Sequence, residues 1–131
     1  MATIGEALVA RLAADAPTVA LVSTRIYRNK APLGAARPYL VYQVIDSFRD
    51  HALDGPTGLN AGRVQFSAWA ATHLAAKAIA DAVRTSLDGF RGTLSGVAVR
   101  GVTSQNEVDL YDDDTDLEGV VVDFTITYLD A

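Results

Sequence analysis

The segment VVVDFTITYL, Val120–Leu129, places Val120, Val122, Phe124, Ile126 and Tyr128 on one side of an extended chain and Val121, Asp123, Thr125 and Thr127 on the other, because successive side chains of a strand point to opposite faces. One apolar row and one largely polar row describe a strand in an antiparallel sheet that is covered on one face. Arg63–Trp69 has the same rhythm, with Val64, Phe66 and Ala68 against Arg63, Gln65 and Ser67. YLVYQVI at Tyr39–Ile45 is β-branched and aromatic and opens directly after Pro38, which predicts a strand. Val97–Thr103 predicts a fourth.

Two stretches have helical periodicity instead. Thr3 followed by Glu6 is a capping box, able to satisfy two of the unpaired N–H groups at a helix start. Ile4, Ala7, Leu8 and Leu12 then share a face, and the helix should end before Pro17. Val19–Val22 is too short to assign to helix or strand. Thr72 opens the second main helix, with an apolar stripe of Ala75, Ala78, Ile79, Ala82, Val83 and Leu87 and with Gly89 where a C-terminal cap belongs.

The order of elements predicts an α+β fold in a single domain spanning residues 1–131: a small antiparallel sheet of about four strands with two main helices packed on one face. Between the strands at 39–45 and 63–69, SFRDHALDGPTGLNAG is long and turn-rich, and it predicts a projecting loop rather than a tight hairpin.

With 131 residues, 50% hydrophobic and 21% charged, the chain suits one folded core. It has no cysteine, which removes disulfides, thiolate metal sites and thiol nucleophiles. The N-terminus lacks a basic leader pattern, and no segment approaches the ~20 apolar residues needed to cross a bilayer. The expectation is a soluble protein with no membrane partner. A net charge of −5 argues against general nucleic-acid binding, which needs a basic face.

The charge is unevenly spread. Arg25, Arg28, Lys30 and Arg37 form a basic stretch without acids, whereas from Glu107 to Glu118 seven of twelve positions are acidic and none is basic. Asp112, Asp114 and Asp116 have the spacing that begins a calcium loop, but the glycine at the sixth position is missing, and position twelve falls on Asp123 inside a strand. No metal site is expected. Catalysis finds little support: His51 and His73 stand apart from any nucleophile motif, and clustered carboxylates in a loop offer solvent rather than the apolar pocket that raises a catalytic pKa. GPTGLNAGR at Gly55–Arg63 lacks the Gly-Lys-Ser/Thr ending of a phosphate loop. Trp69 and Tyr39 lack the interleaved basic residues of a base-stacking platform. Neither a cofactor nor catalytic residues are expected, and two decorated segments of opposite charge suit an assembling building block.

The runs RIYRNKAPLGAARPYLVYQVID, LDGPTGL, RVQFSAWAATHLAAKAIADAVRTSLDGF and NEVDLYDDDTDLEGVVVDFTITY resemble the small tail completion proteins of long-tailed bacteriophages, also called tail terminator or tail-to-head joining proteins. The resemblance extends from about Ile4 to Tyr128. It implies a non-enzymatic virion protein made in the bacterial cytoplasm. Such a protein forms a ring, typically hexameric, on the head-proximal end of the tail tube, stops tube growth and meets the head connector, with DNA passing through unread. Ring closure needs two different faces that meet head to tail. Arg25, Arg28 and Lys30 against Asp112, Asp113, Asp114, Asp116 and Glu118 are candidates for that contact, with lumen lining as the other use of the acids. A connector adaptor one ring nearer the capsid is an alternative, and a small ligand-binding or catalytic α+β domain with its pocket under the long loop is another.

Overall fold

The computed structural model describes residues 3–53, 55–113 and 116–129, with the backbone alone at 50–52 and 55–57. Helices α1 (Ile4–Ala13), α2 (Ala16–Val22) and α3 (His73–Leu87) pack on a six-stranded sheet. The strands are β1 (Ile26–Arg28), β2 (Tyr39–Ala52), β3 (Gly55–Ala70), β4 (Gly92–Leu94), β5 (Val97–Asp112) and β6 (Leu117–Leu129), in the spatial order β1-β2-β3-β6-β5-β4. The α+β class and the helix-covered face agree with the sequence pattern; the number of strands does not. β1 and β4 have three residues each, too few to show periodicity. β1 also runs parallel to β2, so the sheet is mixed rather than wholly antiparallel.

The larger correction concerns the segment expected to be a projecting loop. β2 and β3 are 14 and 16 residues long and remain paired to Ala52↔Gly55, so this segment is a two-stranded ribbon with a tight tip. Register shifts at Val44/Asp46 and Arg49/His51 absorb its irregular composition as bulges. The acidic segment is corrected in the same way. Residues 107–112 belong to β5 and 117–118 to β6, paired from Asp112↔Leu117 inward. The two ribbon tips lie at opposite ends of the sheet, since β6 runs from the acidic tip to Leu129, which pairs with Leu59 on the way to the β2–β3 tip.

α1 buries Ile4, Ala7, Leu8 and Leu12 as its periodicity predicts. Thr3 Oγ1 accepts from Glu6 N at 3.2 Å, and the Glu6 carboxylate takes the Thr3 hydroxyl. The ambiguous Val19–Val22 is helical because Asp15 caps it: Asp15 Oδ2 accepts from Thr18 N at 3.3 Å and from Thr18 Oγ1 at 2.6 Å, with Pro17 in the first turn. α3 starts on the Thr72 cap, whose Oγ1 accepts from Ala75 N. It ends at Gly89, which has φ +78°. Its buried line is Ala76, Ile79, Ala80, Val83 and Leu87. Ala75 and Ala78 are exposed, because a small alanine fits either flank and the larger Ile79, Val83 and Leu87 set the rotation.

Under the helices an aromatic run crosses three strands. Tyr42 and Phe66 have ring centroids 6.3 Å apart, and Phe66 meets Phe124 edge-on at 5.8 Å. Phe66 and Phe124 are 1% and 0% exposed. Replacing Phe124 by alanine is expected to cost about 3–5 kcal/mol, read as a lower urea midpoint with an unchanged slope. A loss below about 1 kcal/mol would place the core elsewhere.

Candidate subunit interface

On β5, strand alternation turns Glu107 and Asp109 toward the helix side, as shown by their partners Val122 and Val120. On α3, His73, Lys77 and Arg84 recur at helical spacing along the flank that faces them. Lys77 Nζ pairs with Glu107 Oε2, Arg84 Nη1 reaches Glu107 Oε1 at 3.3 Å, and His73 Nε2 lies 3.3 Å from Asp109 Oδ1. Asp81 closes the set, 2.9 Å from Arg84 Nη2 and 3.4 Å from Lys77 Nζ. Two of the seven acids therefore hold the β5 ribbon to α3. The signal was present in the sequence: acids at period two in one segment and cations at 73, 77 and 84 in another. Neither segment alone shows that they meet.

Hydrogen bonding to Glu107 is the main reason that the Lys77 ammonium is held above its ordinary pKa, against some desolvation and with help from Asp81.

The remaining acids lie toward the tip. Tyr111 Oη donates to Asp116 Oδ1, and this bond is the first cause of the raised Tyr111 pKa. Asp116 has φ +55°, the left-handed conformation that aspartate tolerates at a turn. Asp113 is exposed and Glu118 half-buried. Asp114 lies outside the described residues, so the calcium spacing of Asp112, Asp114 and Asp116 stays a sequence observation. Among the described residues, no group of three or more His, Asp or Glu is arranged to hold a metal ion. The His51 side chain also lies outside those described.

Asp112 reaches the opposite, helix-free face, where it forms one wall of a shallow groove. Asn29, Lys30 and Ala31 form another, and Tyr39, Val41, Gln43, Ser67 and Trp69 complete it. Lys30 and Asp112 thus line one groove of a single subunit. Burial raises the Tyr39 phenol above its ordinary pKa, with Arg37 opposing the shift and Asp112 adding to it. Arg25 is committed internally, its Nε donating to the Pro38 carbonyl at 2.6 Å; this pins the basic loop where it returns to β2. Arg28 and Lys30 are exposed.

The same face carries a second, smaller apolar cluster. Leu117 and Val121 are 1% and 4% exposed although they point away from the helices. Trp69 lies across Gly119, which sits between them on the strand. A Cβ on Gly119 would come within 2.7 Å of Trp69 Cζ3. Val108 and Leu110 continue the cluster on β5 and remain 43% and 44% exposed. At the other edge of this face Phe48 is 68% exposed, and Leu33 and Leu53 stand fully exposed in the basic loop and at the β2–β3 tip. So many exposed large apolar side chains on one small chain mark contact surfaces.

The family model described as tail completion protein gp17 matches residues 6–129. Among solved structures, a chain from "Virion of native gene transfer agent (GTA) particle" superposes with a TM-score of 0.81 at 23% identity, covering 97% of this chain and 95% of that one. The search of curated proteins returned no significant match.

Two measurements check the geometry. Gly119→Ala should displace Trp69 and cost about 1–3 kcal/mol, as overpacking does, with a change in tryptophan fluorescence; an unchanged spectrum and melting temperature would contradict the contact. Glu107→Gln should cost about 1 kcal/mol or less, and less still in high salt. A raised lysine pKa stabilises the fold below its unfolded value, and that stabilisation is lost as pH rises through the folded value. As pH is raised from neutral, the difference between the two proteins should therefore hold and shrink only in the alkaline range, to what the Arg84 pair sustains. A difference already lost just above neutrality would contradict the Lys77 assignment.

Proposed function

The chain belongs to the tail completion protein gp17 family and so to the virion tail, and from this premise we propose that it forms a ring on the head-proximal end of a phage tail tube, ends tube polymerisation there and joins the tail to the head connector. The observation that carries the proposal is the extent of the family match, residues 6–129, which takes in every strand and nearly all of the helical layer. Its partners are further copies of itself, six in a closed ring, together with the tail tube protein and the connector. DNA passes through without being read. The native gene transfer agent virion, which contains a chain of this fold, supports a place in a phage-like particle.

The subunit's shape supports the same assignment. A tube-end ring must present different surfaces to the tube and to the connector, and the two ribbon tips here differ. One carries Leu53, and the other carries Asp113 and Asp116 beside the basic loop. Lys30 and Asp112 line one groove, which offsets their charges locally. Asp113, Asp116 and Glu118 then give that end a negative field. Facing the channel, this field repels DNA phosphates and keeps the passage free of tight binding. Facing Arg28 or Lys30 of the next copy, it sets the order of subunits.

Deleting the gene should leave filled heads beside unattached tails of irregular or excessive length in negative stain. Normal particles lacking the protein would overturn the assignment. Reversing Asp112, Asp113 and Asp116 to lysine should cost the fold within about 0.5 kcal/mol at Asp113 and about 1–2 kcal/mol at Asp116, whose left-handed φ of +55° and bond from Tyr111 lysine does not reproduce. Rings that still assemble but retain or eject DNA abnormally identify the channel role. Failed closure, restored by reversing Arg28 and Lys30, identifies the intersubunit role. Unchanged assembly and ejection would rule out both.

A further inference from the structure

The four long strands run β2, β3, β6, β5 with alternating direction, and the outer two are paired on their outer sides over only part of their length. β1 covers Leu40–Tyr42 of β2. β4 covers Val97–Val99 of β5, and the turn after α3 adds bonds from Gly89 N to Val102 O and from Ser104 N to Asp88 Oδ1. Among the described residues, no strand pairs with the outer side of β2 at 44–49 or of β5 at 105–112. Both stretches are backbone edges of the kind that recruits another strand.

The side chains at the two edges match. Phe48, opposite Ala61, and Val108 and Leu110, opposite Val121 and Gly119, all lie on the helix-free face and are all substantially exposed. On the helix side, β2 carries Arg49, which also bonds Asn60, and β5 carries Glu107 and Asp109. We propose that the β2 edge of one copy pairs antiparallel with the β5 edge of a second copy, Phe48 opposite Val108, burying Phe48 against Val108 and Leu110 and bringing Arg49 opposite Glu107. This rests on the ring assignment and names the contact that closes the ring.

Three observations favour a second copy arranged head to tail. An even number of alternating long strands means that a neighbour in the same orientation continues the alternation, β2 following β5. A β5-to-β5 contact would set Glu107, Asp109 and Asp112 against their own kind, which is destabilising. The two edges are also staggered. Val108 is level with Val41 through Val121 and Ser67, while Phe48 is level with Gly101 through Ala61 and Thr127. Joining the edges shifts each copy along the strands by roughly seven residues, about 23 Å, against a width of about 19 Å for four strands. A shift comparable to the width tilts the strands strongly, which is what sheet closure into a barrel requires. In the closed ring the helices take the outer circumference, where there is room for them, and the helix-free face lines the channel.

The chain has no cysteine, so introduced pairs report cleanly. Within one chain, residues 48 and 108 are separated by three strand spacings across the sheet, about 14 Å, and by the seven-residue stagger along it, too far for a disulfide. Full-length protein carrying Phe48→Cys and Val108→Cys, incorporated into tails and oxidised, should run as a ladder of covalent multimers on a non-reducing gel. Each single variant should stay monomeric. Ser47→Cys with Asp109→Cys, adjacent in the same register on the helix side, should give the same ladder and guards against a local effect of removing Phe48. Rings seen in negative stain without a ladder from either pair overturn the edge contact and leave the ring assignment standing. Tails without rings overturn both. A dimer from Val108→Cys alone shows β5 meeting β5 and overturns the head-to-tail arrangement.

Discussion

The ring-to-ring packing of Tyr42, Phe66 and Phe124 across β2, β3 and β6 is the contact on which the rest of the chain depends. It fixes the register of the three strands at the centre of the sheet, because a slip of one residue would turn every ring to the opposite face. It also sets how closely the helices can approach. A Cβ at residue 5 would lie 2.9 Å from Tyr42 Cε2, so any side chain there would displace the Tyr42 ring or lift α1 from β2. At its other end α1 is tied to the α3 terminus by Arg11, whose Nε donates to the Ser86 carbonyl at 2.9 Å and whose guanidinium lies 4.0 Å over the Phe90 ring.

Burying one face so fully leaves the protein with surfaces that it cannot satisfy alone. Strands of 13 to 16 residues outrun the helical layer. The excess becomes two ribbons pointing in opposite directions, with partly unpaired edges and exposed apolar side chains on the face away from the helices. A monomer designed for solitude would shorten or block such edges. Here the bulges bend the ribbons while β5 adds acids that discourage self-pairing. The charge pattern therefore has two separate parts. Glu107 and Asp109 hold the ribbon to α3, and the acids from Asp112 onward give one end of the subunit its field.

The helix-facing rows of β3 and β6, the burial of α1 and the caps at Thr3, Thr72 and Gly89 were all legible in the sequence, since each depends on a strict period or a local hydrogen bond. The ribbon extensions were not. Gly55, Pro56, Gly58 and Gly62 resemble loop composition, the polar Asn60 is buried where an apolar residue would have continued the alternation, and Gly62 is required where a side chain would meet the Asp46 carbonyl at 2.8 Å. The acidic run looked like a loop for the same reason: its alternation places acids toward α3 and the apolar Val108 and Leu110 on the helix-free face. α2 was concealed by its shortness, although Asp15 and Thr18 carried its cap. Of the candidate site residues, Arg28 and Lys30 are exposed as a contact role requires, whereas Arg25 proves to be a strut for the basic loop. No sequence pattern could show that Lys30 and Asp112 share a groove, because the topology brings them together from opposite ends of the chain.

The central claim is that this chain closes the head-proximal end of a tail tube. A cryo-electron microscopy reconstruction of the head–tail junction, at a resolution that traces strands, tests it most directly. The account predicts one closed ring of this fold between tube and connector, with helices outside and the helix-free face toward the channel. Density for the chain at the distal end of the tail, along the tube, or nowhere in the mature particle would contradict it.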